Sequence, residues 1–153
     1  GEARLAQLRA LIDTDPAWRT LPLQLLPGQS HTALAACDQT LIASGTATLE
    51  AALFKRPMVI AYRLAPLSYR MMKNKAYQPW FGLPNILAGE FLVPEFIQDA
   101  ATPQALAEAM VRQHDDASGR ERLVARFAEM HHVLAQGCAR RVAETVLDDL
   151  SRA

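Results

Sequence analysis

Apolar residues recur at helical spacing at the start of the chain. Leu5, Leu8, Leu11 and Ile12 share one face, which predicts an amphipathic helix over residues 2–13. Asp13-Thr14-Asp15-Pro16 ends it. Leu23-Gln24-Leu25-Leu26 reads as a short strand closed by Pro27-Gly28, and Ser30 as the cap of a short helix over 31–37. Thr40-Leu41-Ile42-Ala43 predicts a second strand, Ser44-Gly45-Thr46 a turn, and the good helix formers that follow a helix through Phe54. Met58-Val59-Ile60-Ala61-Tyr62 is apolar throughout, as a strand buried on both faces would be. Strand, helix and strand in this order make a βαβ unit. A helix is expected over 67–76 after Pro66, and irregular chain over 77–94, where Pro79, Gly82, Pro84, Gly89 and Pro94 accumulate. The remainder reads as helix. Thr102-Pro103 opens the first, Ser118 caps the second, and Val142, Ala143, Val146, Leu147 and Leu150 line the third.

The composition narrows the class. Half of the 153 residues are hydrophobic and 21% are charged, enough for a real core. Sixteen Lys and Arg against sixteen Asp and Glu give no basic excess, so nucleic acid is not an expected partner. Two cysteines, Cys37 and Cys138, are too few for a disulfide scaffold. No apolar run approaches the roughly 18 residues that span a bilayer. The predicted strands are few for an α/β sheet, and the chain opens at Gly1 within a predicted helix. It is therefore expected to be a piece of a longer protein.

Three segments carry candidate chemistry. In Ile42-Ala43-Ser44-Gly45-Thr46-Ala47-Thr48-Leu49-Glu50 a strand feeds a glycine turn and then a helix start. The first N–H groups of that helix lack intrahelical partners and sit at the positive end of its dipole. Gly45 lets a phosphate approach the backbone, and the hydroxyls of Ser44 and Thr46 add donors. Glu50 lies one turn in, where a carboxylate can accept from both hydroxyls of a ribose. The alternative is a capped helix with Glu50 in solvent. In Leu83-Pro84-Asn85-Ile86-Leu87-Ala88-Gly89, Asn85 either reads a polar ligand or caps the turn at Ile86. From Pro57 to Gly89 there is no Asp or Glu, while Arg63, Arg70, Lys73 and Lys75 are interleaved with Leu64, Leu67, Tyr69, Met71, Met72, Tyr77, Trp80 and Phe81. Such a segment suits an anionic membrane surface or, alternatively, a solvated helix face with a core side. His31, His114, His131 and His132 show no metal spacing.

Taken in order and spacing, the first two segments, with Pro57-Met58-Val59-Ile60-Ala61-Tyr62-Arg63 between them and Val93-Pro94-Glu95-Phe96-Ile97-Gln98 after, resemble the C-terminal half of the lipid-A-disaccharide synthase family. The resemblance implies a GT-B glycosyltransferase, two Rossmann-like domains facing a cleft, that inverts configuration with neither metal nor cofactor. It implies transfer of 2,3-diacylglucosamine from UDP to 2,3-diacylglucosamine 1-phosphate, forming the β-1,6 disaccharide phosphate of lipid A. It places the protein peripherally, on the cytoplasmic face of the bacterial inner membrane, as a homodimer through its C-terminal helices. Ser44, Gly45 and Thr46 would hold the diphosphate, Glu50 the ribose, Asn85 the sugar or diphosphate, and Arg63 would neutralise the leaving UDP. Leu67, Tyr69, Arg70, Met71, Met72, Lys73, Trp80 and Phe81 would face lipid or the acceptor phosphate. The general base would come from a preceding acceptor-binding domain, so no catalytic residue is assigned and the chain alone is expected to be inactive.

The expected architecture is thus α/β: part of a Rossmann-like domain over 1–100, with a short parallel sheet, and C-terminal helices over 101–153 packing on it or on a partner. Two other readings stay open. One is another UDP-sugar enzyme of the same architecture, of the UDP-N-acetylglucosamine epimerase or peptidoglycan transferase kind. The other is a non-catalytic helical interaction domain.

Overall fold

The structure, a computed structural model, describes residues 2–73 and 78–152, without the side chains of 72, 73 and 152. The chain divides into two compact units, Gly1–Ala36 and Cys37–Ala153. This differs from a boundary near residue 100, because helices beyond that point supply core to the sheet-bearing unit.

The first unit holds α1 (Glu2–Thr14), α2 (Pro16–Arg19) and α3 (Ser30–Ala36). Asp15 separates the first two by accepting Ala17 N–H at 2.9 Å, with Pro16 at the first helical position. Leu23–Leu26 forms no strand. A short apolar run becomes one only when a neighbouring edge takes its hydrogen bonds, and Leu23 N–H instead turns back onto Leu21 C=O at 2.7 Å.

The second unit is built on three parallel strands, β1 (Thr40–Ala43), β2 (Met58–Tyr62) and β3 (Glu95–Ile97), in the order β1-β2-β3. The register pairs Ile42 with Ile60 and Ala61 with Phe96. Between strands run α4 (Thr46–Leu53), α5 (Pro66–Lys73) and α6 (Leu83–Ala88). After β3 come a 3-10 turn (Gln98–Ala100), α7 (Pro103–Asp115), α8 (Ala117–Leu134) and α9 (Cys138–Arg152). The βαβ reading of 40–62 holds. Within 77–94, read above as irregular, α6 forms between Pro84 near its start and Gly89, left-handed at φ 70°, at its end. Asp116, rather than Ser118, caps α8: its carboxylate accepts Gly119 N–H at 2.8 Å and Ser118 Oγ–H at 3.0 Å. These bonds hold the Asp116 carboxyl below its ordinary range.

Successive residues Met58, Val59 and Ile60 are all buried, so both faces of β2 are covered. Helix α4 packs on β1 and β2 and α7 on β2, while α8 meets α4 and α7. Ala51 and Ala52 let α4 approach closely, and Phe127 of α8 is fully buried. His131, further along α8, meets Lys55 Nζ. Every described side chain of α9 is exposed.

Candidate functional site

In an open parallel sheet, ligands bind outside the carboxyl ends of the strands. Here that edge is formed by the turn after Ala43, the loop after Tyr62 and the segment after Ile97. Gly45 sits at φ 151°, ψ −168°, a region essentially closed to residues with a side chain. Nothing lies within 4 Å of where a Cβ would be, so backbone conformation, not crowding, demands glycine. Its C=O accepts Thr48 N–H at 3.1 Å and Thr48 Oγ1–H at 2.7 Å, and Thr48 is fully buried. The carbonyl is therefore turned into α4, and the leading N–H groups of the helix face outward at its positive end.

Ser44, Gly45, Thr46 and Glu50 come together on this turn and helix. Thr46 is exposed and Glu50, four residues on, is half-buried on the same side. Ser44 departs from the expectation of a hydroxyl donor to phosphate: its Oγ–H is given to Phe81 C=O at 3.0 Å. Its contribution to an anion is thus the backbone of its turn.

Arg63 follows β2 at the same edge. Its guanidinium lies 3.5 Å from Gln98 C=O and 4.0 Å from Asp99, with two thirds of the side chain exposed, so the pair holds it only weakly. The loop beneath is firmer. Gln98 accepts Leu64 N–H through Oε1 at 2.6 Å and donates to Leu64 C=O through Nε2 at 3.1 Å.

Asn85 does not face a ligand. It is fully buried, donates to Val93 C=O at 2.8 Å and Glu95 Oε1 at 2.7 Å, and accepts Val93 N–H at 2.9 Å. An amide so engaged braces α6 against the approach to β3 rather than reading a sugar. Glu95 gathers three donors: Phe81 N–H and Gly82 N–H, each at 2.8 Å, and the Asn85 amide. Gly82 is required by space, since a Cβ there would overlap Ile60 Cδ1 and stand 3.0 Å from Glu95 Oε1.

The basic, apolar segment is split. On α5, Leu67 and Met71 are exposed on one face with Arg70 beside them, and Tyr69 is half-buried. Of Met72 and Lys73 only the backbone is described, and Lys75 and Tyr77 lie outside the described residues. Trp80 and Phe81 are half-buried, Trp80 packing edge-on against Phe91 at 6.2 Å between ring centres, so they are partly core. Among the described residues no group of three or more His, Cys, Asp or Glu is placed to hold a metal ion, and no helix is long and apolar enough to cross a membrane.

Reasoning from sequence missed Thr48, Glu95 and Gln98. The available signal was the polar Glu95 and Gln98 flanking Phe96-Ile97 directly after Pro94.

Comparison with known proteins adds to this geometry. Residues 6–146 match the family model described as lipid-A-disaccharide synthetase. Lipid-A-disaccharide synthase of Azotobacter vinelandii is 55% identical over 135 residues, 88% of this chain and 35% of the relative. That of Thiobacillus denitrificans is 53% identical over 133 residues, 87% of this chain and 36% of the relative. That of Pseudomonas aeruginosa strain UCBPP-PA14 is 56% identical over 132 residues, 86% of this chain and 34% of the relative. The chain thus spans about a third of the length of these curated relatives.

Proposed function

The chain belongs to the lipid-A-disaccharide synthase family, and from that premise we propose that it forms the nucleotide-sugar-binding part of a glycosyltransferase of lipid A biosynthesis. The donor is 2,3-diacylglucosamine carried on UDP and the acceptor is 2,3-diacylglucosamine 1-phosphate. The products are the β-1,6-linked disaccharide 1-phosphate and UDP, with inversion at the transferred sugar and no metal or cofactor.

The observation that carries this reading is the glycine-only turn at Gly45, opening α4 at the carboxyl edge of a parallel sheet. Negative charge grows on the departing diphosphate in the transition state. Fixed N–H dipoles at the start of α4 and the cation of Arg63 favour that charge without reorganising. Glu50 accepts from the ribose hydroxyls. The base that deprotonates the acceptor lies in the part of the family's length this chain does not span, so the chain alone is inactive.

The exposed Leu67 and Met71 beside Arg70 suit a peripheral stance on the anionic cytoplasmic face of the inner membrane. The bare apolar stripe of Val142, Val146, Leu147 and Leu150 on α9 suits a homodimer.

Titration calorimetry with UDP tests the central part. The wild-type chain binds, and Glu50→Ala loses about tenfold or more, the cost of charge-assisted bonds to the ribose. Equal binding by both chains would remove Glu50 from the site. No binding by a folded wild-type chain would count against a self-sufficient diphosphate site.

A further inference from the structure

We infer that Glu95 is a positioning residue for the diphosphate-facing turn, acting through the Phe81–Gly82 peptide and the Ser44 hydroxyl. The inference rests on the reading of Ser44–Thr46 as an anion site and extends it to a residue that need not touch the ligand.

One planar unit links Glu95 to Ser44. Phe81 C=O and Gly82 N–H belong to the same peptide group and point in opposite directions from it. The N–H end is fixed by Glu95 Oε1 at 2.8 Å, and the C=O end accepts Ser44 Oγ–H at 3.0 Å. The direction of the carbonyl offered to Ser44 is thus set by the carboxylate behind it. A second bond, Phe81 N–H to Glu95 Oε2 at 2.8 Å, fixes the preceding peptide and prevents the unit from rotating. Glu95 is itself held by the fully buried Asn85, whose amide is locked to Val93 at both ends.

The chain of contacts runs from β3 through the segment before α6 to the turn after β1. Glu95 and Ser44 are 51 positions apart in sequence and belong to elements that are not neighbours in the sheet. The turn needs such a brace. Gly45 is the most permissive residue in it, and the N–H groups of Thr46 and Ala47 hold their aim only if the residue before the glycine is anchored. Ser44 supplies that anchor, and its proton is spent on doing so.

Chemistry also selects a carboxylate. Three donors converge on Glu95, and only an acceptor at both oxygens satisfies them all. Glu95→Gln keeps the shape but sets an NH2 against at least one N–H. The peptide then turns and the Ser44 bond weakens. Ser44→Ala cuts the same path at its other end.

The test is a double-mutant cycle in the full 153-residue chain, with UDP as the probe and backbone amide exchange as a ligand-free readout. Glu95→Gln and Ser44→Ala each weaken UDP binding by about tenfold, the scale of one mispositioned charge-assisted bond. The double variant is no weaker than the worse single, because both act through one contact. Without UDP, both single variants speed exchange at Thr48, whose buried N–H is held by Gly45 C=O. Losses that add in the double variant would overturn the inference, as would unchanged exchange at Thr48 in Glu95→Gln. If Glu95→Gln does not fold, unchanged exchange in Ser44→Ala overturns it equally. If the wild-type chain does not bind UDP, the reading of the anion site falls, while amide exchange still decides whether Glu95 positions the turn.

Discussion

The carboxyl edge of the sheet and the helix α9 contrast sharply within the same unit. Helix α9 has a regular amphipathic stripe, Val142, Val146, Leu147 and Leu150, yet all four side chains are largely exposed. The segment from Trp80 to Gln98 has no such period, yet it holds the buried polar network of Asn85, Glu95 and Val93 and the clamp of Gln98 on Leu64. A regular stripe records that a helix wants a partner, not that it has one. An irregular segment can be the more constrained, because every polar group it buries must find a bond.

The contrast breaks most visibly if a core position and an α9 position are exchanged for alanine. Phe127→Ala removes a fully buried ring from α8, the helix that packs on α4 and α7, and costs about 3–5 kcal/mol in denaturant unfolding. Leu147→Ala, on the exposed stripe, changes the monomer by under about 0.5 kcal/mol. A large, concentration-dependent loss at Leu147 would show that the stripe is covered in solution.

A smaller effect sharpens the polar half of the comparison. Asn85→Ala leaves the N–H and C=O of Val93 and one bond of Glu95 unmet, at about 1–3 kcal/mol in all. Urea unfolding measures it, and a change near zero would mean that the network is not closed to water.

The smallest effect lies at the start of α8. The Asp116 carboxyl is held below its usual value of 3.8, first by Gly119 N–H, then by Ser118 Oγ. A group with a lowered folded pKa contributes stability that is complete above its unfolded pKa and is lost as pH falls through the folded one. Asp116→Ala should therefore lower Tm slightly at pH 7, and the gap from wild type should close below pH ~3.8. A gap independent of pH would assign the effect to helix propensity alone.

The same contrast explains what was legible in the sequence. Strands β1 and β2 and the glycine turn could be read because their signals are local: an apolar run, a single glycine and a helix start. Strand β3 could not, since Glu95-Phe96-Ile97 is too short for a period and begins on a charge. Leu23–Leu26 carried an equally good apolar run and made no strand, because pairing depends on a neighbouring edge. Asn85 was legible as a polar residue at a helix start, but its burial depends on Glu95 ten positions later, which no spacing rule encodes. Ser44 was placed correctly at the turn, while the direction of its proton depended on Phe81.

The most direct test of the central claim is an NMR titration that follows backbone amides as UDP is added to the chain. The account predicts the largest shifts at Ser44–Ala47, smaller ones at Arg63 and Leu64, and none along α9. Shifts that spare the Gly45 turn and gather elsewhere would contradict it.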